Sequence, residues 1–376
     1  MENIDNTSII KTNLSITKKD LDEYIIGNGE TYITLDYIGK DIILNLNKGI
    51  SIDGLNETLD TNDYDITDFI ITLRDLGLIY SIDGFRISEN NLEKKIKPFE
   101  KILASIFFNK LSITLYIAML VFSVIYIIVS GEFAILYKEI IISKYIGINL
   151  LLIIIVSWIL LLLHEMGHYY AAIRFNIKPT FKISVRLFWI VIEANVNRLW
   201  EKEKKEKYIT FSAGVFVEST ILFFCSLFLI LNIQNNLIRL IIFIILYRLL
   251  WQLLIFLRTD LYFIVITYLG TNSLHFRIMS SLKNSFCKNM KLNIEEKIYV
   301  LFMIIGFFVI LIMAIFFQIP TIYILLTHSV NEIILNNVFY KIDGLLTFFI
   351  LTLLFIIWII GYKNKLKDKY LQKSEY

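Results

Sequence analysis

The stretch IGINLLLIIIVSWILLLLHEMGH, residues 146–168, decides how this chain is read. Up to Leu163 only Gly147, Asn149 and Ser157 dilute the apolar run, which approaches the roughly 20 residues that cross a bilayer as a helix. Carried on as a helix, it puts His164 and His168 one turn apart on one face, with Glu165 beside them. Two imidazoles at this spacing can hold a zinc ion, and the carboxylate can deprotonate a water. With 4 His and 19 Glu in 376 residues, a chance His-Glu-x-x-His is expected roughly 0.002 times, so the pattern is specific. Two histidines hydrogen-bonded inside a bundle are the bland alternative. Uncompensated ionisable groups at a helix centre cost about 2.5–3.5 kcal/mol on insertion scales, which favours a functional role. The expected chemistry is peptide-bond hydrolysis in or at the bilayer.

The composition agrees: 56% of residues are hydrophobic and 15% aromatic, well above a soluble domain. The net charge of +3 hides an asymmetry, because residues 1–93 carry 18 Asp and Glu against 7 Lys and Arg. An acidic head therefore precedes a basic membrane body. The first 30 residues have no apolar core, so no cleaved signal peptide is expected and the head is placed in the cytoplasm. Cys225 and Cys287 are far apart without metal-type spacing and read as reduced bystanders. Nothing calls for a nucleic-acid partner.

Within residues 24–87, 31–36 alternates like a strand and 41–47 and 66–76 have helix-like apolar spacing. Residues 78–82 and 85–87 read as a hairpin around Asp83-Gly84. That order predicts a small α/β, winged-helix-like domain over 1–93, followed by a linker, 94–110. Six spans follow, at about 111–129, 146–171, 209–231, 237–257, 299–317 and 345–362, before a basic tail at 363–376. The strongly basic connections, 174–207 and 258–297, and the tail fall on one side if both termini are cytoplasmic. The expected fold class is thus a mainly α, polytopic membrane protein with a small α/β head. His164 and His168 then lie towards the cytoplasmic end of their span. Asp260, just beyond the fourth span, and Glu218, about 13 Å into the third, reach similar depths.

A catalytic zinc site usually takes three protein ligands and keeps one position open. Asp260 is chosen as the third ligand, with pairing to Arg258 as its structural alternative. Glu218 competes with it, and otherwise lines the site or is partnered by Arg248 or Gln252. Glu165 is expected to act as general base. His275 and His328 read as solvated or structural. Two alternating runs, 181–187 and 192–197, predict a hairpin beside the site, whose edge can hold an unwound substrate by main-chain hydrogen bonds. An amphipathic surface ribbon is the equal alternative.

Three segments in order, HEMGH at 164–168, SAGVFVE at 212–218 and RTDLY at 258–262, make the chain resemble the site-2 protease family of intramembrane zinc metalloproteases. The resemblance covers a core of 146–270 within a protease domain of 111–362. It implies one Zn²⁺ per chain, held by His164, His168 and Asp260, with Ala213 and Gly214 in a small-residue motif of the neighbouring helix. Val215 stands where the family often has proline, and Leu261 where it has glycine after the aspartate. Within the family the chain looks most like the peptide zinc metalloproteases encoded beside bacteriocins and modified peptides. Its head resembles the PqqD-like peptide-recognition domain. The implied substrate is a ribosomally made peptide precursor or a membrane-embedded peptide, with Glu218, Asn195 and Gly214 as substrate contacts. An ABC exporter or a peptide-modifying enzyme is the implied partner. Two rival expectations are regulated cleavage of a membrane-tethered signalling protein and a non-catalytic, zinc-containing export or immunity component.

Overall fold

The structure, a computed structural model, describes residues 7–18, 23–28, 31–58, 65–87, 96–132, 141–186, 189–233, 235–270, 278, 293–335 and 337–374. Among these it describes the side chains of all but 182–186, 189–191, 295, 361–362 and 364–374. His275, Cys287 and Leu187 lie outside the described residues. The chain is mostly helical, 74%. It divides into two compact units: Met1–Lys97 with Asn176–Lys178 and Val196–Glu203, and Pro98–Phe175 with Pro179–Asn195 and Lys204–Tyr376.

In the first unit, β1 (Ile9–Thr12), β2 (Ser15–Lys18), β3 (Tyr24–Gly27) and β4 (Tyr32–Leu35) come first. They are followed by α1 (Tyr37–Lys48), β5 (Ile50–Ser51), α2 (Ile52–Thr58), α3 (Ile66–Asp75), β6 (Ile79–Ile82) and β7 (Phe85–Arg86). Two antiparallel sheets result, ordered β5-β1-β6-β7 and β2-β3-β4. Asp36 and Asp65 start α1 and α3 by accepting the Gly39 and Asp68 N–H at 2.8 and 3.0 Å, which satisfies donors the helix leaves over. Asp83 and Gly84 both have positive φ, 48° and 82°, the twist a two-residue hairpin turn needs. Ile42, Ile43 and Leu46 of α1 and Ile66, Ile70 and Leu73 of α3 bury their apolar stripes against Ile10, Ile26 and Ile79. Each such burial contributes roughly 1.5–3 kcal/mol. The expected strand, helices and closing hairpin are present. The sheets also extend back to Ile9, in strands of four residues too short for alternation to stand out.

In the second unit, α4 (Pro98–Phe107) lies within the stretch read as a linker. Pro98 opens it, where a missing N–H costs nothing, and Glu100 accepts a hydrogen bond from the Tyr169 hydroxyl at 2.9 Å. Then come α5 (Lys110–Val129), α6 (Ile146–Arg174), the hairpin β8 (Thr180–Arg186) and β9 (Trp189–Asn195), and α7 (Lys204–Ile230). After these are α8 (Asn236–Gln252), α9 (Asp260–Leu269), α10 (Ile294–Met313), α11 (Ile319–Ile334) and α12 (Val338–Ser374).

Five helices among the described residues are long and apolar enough to cross a membrane, not six: Lys110–Val129, Ile146–Arg174, Lys204–Ile230, Glu296–Ile334 and Val338–Ile360. The expected span 237–257 holds only the 17 residues of α8, the short limit for a crossing. There the backbone turns through a 3-10 turn, Ile255–Leu257, and Arg258 at φ 55°. Side chains sustain the break: the Thr259 hydroxyl donates to the Gln252 carbonyl at 2.8 Å, and Gln252 Oε1 accepts the Asp260 N–H at 3.1 Å.

A second correction concerns 318–343, read as a connection. The helix continues through a π-turn, Ala314–Gln318, into α11, whose first turn accommodates Pro320. The 39 residues of Glu296–Ile334 would reach about 58 Å at 1.5 Å per residue, far more than one bilayer core of about 30 Å. The basic tail is likewise the continuation of α12 to Ser374.

Helix α6 packs on α7 and α12, and α5 and α8 pack on α7. Leu160, Leu222, Leu240, Ile242 and Ile245 form the core between them. The contact of α6 with α7 is close because both helices use glycine. A Cβ on Gly167 would lie 2.6 Å from the Ala213 carbonyl oxygen.

Candidate metal centre

The helical period of α6 places His164 and His168 on one buried face, 4% and 5% exposed. The break after α8 delivers Asp260, the first residue of α9, to the same point. Asp260 Oδ2 lies 3.0 Å from His164 Nε2 and 3.3 Å from His168 Nε2, and the two Nε2 atoms are 3.2 Å apart. Bonds of about 2.0–2.1 Å in a tetrahedral site require ligand edges of about 3.3 Å. The three atoms already form one face of such a tetrahedron.

The outward-facing atoms set which ring nitrogens face inward. His168 Nδ1 is 2.8 Å from the Thr210 carbonyl oxygen, an acceptor, so Nδ1 carries the hydrogen and Nε2 of the neutral ring keeps its lone pair. His164 Nδ1 lies 3.1 Å from Glu218 Oε1, which assigns the same tautomer. Two nitrogen lone pairs and a carboxylate oxygen therefore converge, an arrangement that fits a divalent cation. Gln252 Nε2 donates to Asp260 Oδ2 at 3.1 Å and holds that carboxylate in place. Among the described residues, these three are the one group of His, Cys, Asp and Glu able to share an ion.

Glu165 stands outside that group. It is buried, and its Oε2 accepts the Ala194 N–H of β9 at 2.8 Å. The hairpin runs in register from Thr180↔Asn195 to Arg186↔Trp189, so the β9 edge carrying Ala194 N–H passes beside Glu165. Asn195 ends β9, one residue further on. A Cβ on Gly214 would lie 2.3 Å from Cε1 and Nε2 of His164. The glycine is the flat ground on which that imidazole lies. Glu218 is 1% exposed, and its Oε1 also accepts from Arg248 Nε at 2.8 Å. Arg248 was one of its two expected partners; the other, Gln252, holds Asp260 instead. His328 is exposed on α11, and Cys225 is a buried free thiol of α7.

Reading the sequence missed the Ala194 N–H and the Thr210 carbonyl. Both are main-chain groups, which no side-chain pattern signals. No protein-family model, curated protein or solved structure matches the chain.

Proposed function

We propose that the chain is a zinc endopeptidase working in the membrane, of the site-2 protease type, which cuts a small peptide precursor near the cytoplasmic face. The observation that carries this reading is the convergence of His164, His168 and Asp260, from two helices far apart in sequence, with Glu165 adjacent on the same helix as both histidines. Bound zinc supplies Lewis-acid polarisation of a carbonyl and eases the ionisation of water. Glu165 takes the proton from the attacking water and returns it to the leaving amine. The Ala194 N–H fixes one oxygen of that carboxylate. The β9 edge beside it holds the substrate extended, because a helical segment keeps its amides out of reach. Gly214 and Thr210 keep the two imidazoles in their orientation.

The head supports a peptide substrate. Its order of strands, three helices and closing hairpin suits a PqqD-like, winged-helix-like module that takes a leader peptide along a sheet edge. Both termini lie in the cytoplasm on this reading, which counts α8 as a crossing. A neighbouring exporter or modifying enzyme fits as partner. The test is co-expression of wild type and Glu165→Gln with candidate precursors, followed by mass spectrometry. The variant should keep stoichiometric zinc and lose cleavage by about 10²–10⁴-fold; wild-type cleavage by the variant would refute the assigned base.

A further inference from the structure

We propose that Glu218, backed by Arg248, is the positioning residue that determines which ring nitrogen of His164 faces the metal; this rests on the zinc reading above. Glu218 lies on α7, away from the three ligating atoms, and has no place in the ligand set. Its Oε1 nonetheless receives both His164 Nδ1, at 3.1 Å, and Arg248 Nε, at 2.8 Å. Oε2 is buried without a hydrogen-bond partner. A carboxylate that is 1% exposed in an apolar bundle is costly unless a cation faces it, and Arg248 is that cation.

The two histidines differ in what holds them. His168 Nδ1 meets a main-chain carbonyl, whereas His164 Nδ1 meets a carboxylate. A carboxylate accepting from the outer nitrogen fixes the Nδ1–H tautomer, aims the ring and makes Nε2 a stronger donor to a metal. Gly214 limits the imidazole on its flat side, with contact distances of 2.3–2.6 Å for a hypothetical Cβ. Turning the ring over about its Cβ–Cγ bond would exchange Nδ1 for Cδ2 beside Glu218 and break that hydrogen bond. Arg248, 18% exposed at its side chain, holds Glu218 in place through the 2.8 Å contact.

The experiment uses the full-length protein in lipid nanodiscs and reads zinc affinity by chelator competition. Glu218→Gln, nearly the same shape without the charge, should bind zinc about 10–100-fold more weakly, while Arg248→Lys, which keeps the cation, should stay within a few-fold of wild type. Unchanged affinity in Glu218→Gln overturns the inference, even if that variant is thermally less stable. A second measurement needs no variant. The 4 His of the chain allow ¹⁵N spectra of the zinc-loaded wild type to be assigned. His164 should carry its proton on Nδ1, and a proton on Nε2 overturns the inference. If wild type and His164→Ala both bind no zinc, the zinc reading falls with it; zinc-binding wild type with indifferent Glu218→Gln sinks this inference alone.

Discussion

The two ends of α6 use the same materials for different purposes. At one end, Asp343 lies against Gly147, and its two oxygens accept the N–H groups of Gly147 and Ile148 at 2.8 and 3.1 Å. Glu332, Ser329 and Thr347 are buried around it. At the other end, Asp260 lies beside His164, which rests on Gly214. In both places an aspartate from another helix meets α6 where a glycine makes room. At the Gly147 end each Asp343 oxygen finds a donor, and the positive end of the helix dipole adds to the attraction. Beside it, Glu332 Oε2 is buried without a hydrogen-bond partner. At the histidine end the hydrogens point outward, to Thr210 and Glu218, and lone pairs remain facing inward. The two ends thus differ in what faces the aspartate: main-chain N–H groups beside Gly147, and ring nitrogens beside His164.

The sharpest way to break this contrast is to remove an aspartate from each end. Asp260→Ala should abolish zinc binding and cleavage, whereas Asp343→Asn should leave zinc stoichiometry unchanged and destabilise the fold by about 1–2 kcal/mol. Metal analysis and thermal unfolding of both variants check this. The glycines give the next largest effect. In Gly214→Ala the added methyl collides with the His164 ring, so zinc affinity should fall at least about tenfold, on the scale of a lost orienting contact. In Gly147→Ala the methyl meets Asp343 and Thr347 at 2.8 Å, so stability should drop by about 1–3 kcal/mol with affinity intact.

The smallest effect lies in the first unit, where Ser15 Oγ and Tyr32 OH both donate to Glu201 Oε1 at 2.6 and 2.7 Å. Burial first, and then the Glu201 carboxylate, hold the Tyr32 phenol above its usual value. The neutral ring is the favoured form in the folded state. Its contribution is therefore full below the unfolded value of about 10 and is lost as pH rises through the higher folded one. Tyr32→Phe should flatten this alkaline loss, read by hydrogen exchange of β2–β4 in the full chain.

Much of the centre was legible in the chain. The spacing of His164 and His168 follows from the period of one helix. Asp260 was reachable through the depth of successive spans, although the reason it arrives differs from the expected one. It starts a new short helix instead of trailing the fourth span. The break that makes this possible depends on Gln252 and Thr259 bonding to groups seven or eight residues away, and no periodicity signals it. The helical continuation beyond Phe317 was equally opaque, because no periodicity signals the π-turn Ala314–Gln318 that carries the chain into α11.

Residue order alone therefore determined which side chains could act together wherever one regular element sets their spacing: both histidines, Glu165, and the apolar stripes of α1 and α3. Tertiary structure alone decided which atoms of those side chains face one another. The pairing of Glu218 with His164, the Ala194 N–H on Glu165 and the flat contact of Gly214 all join residues tens of positions apart, through distances of about 3 Å that exist only once the helices pack.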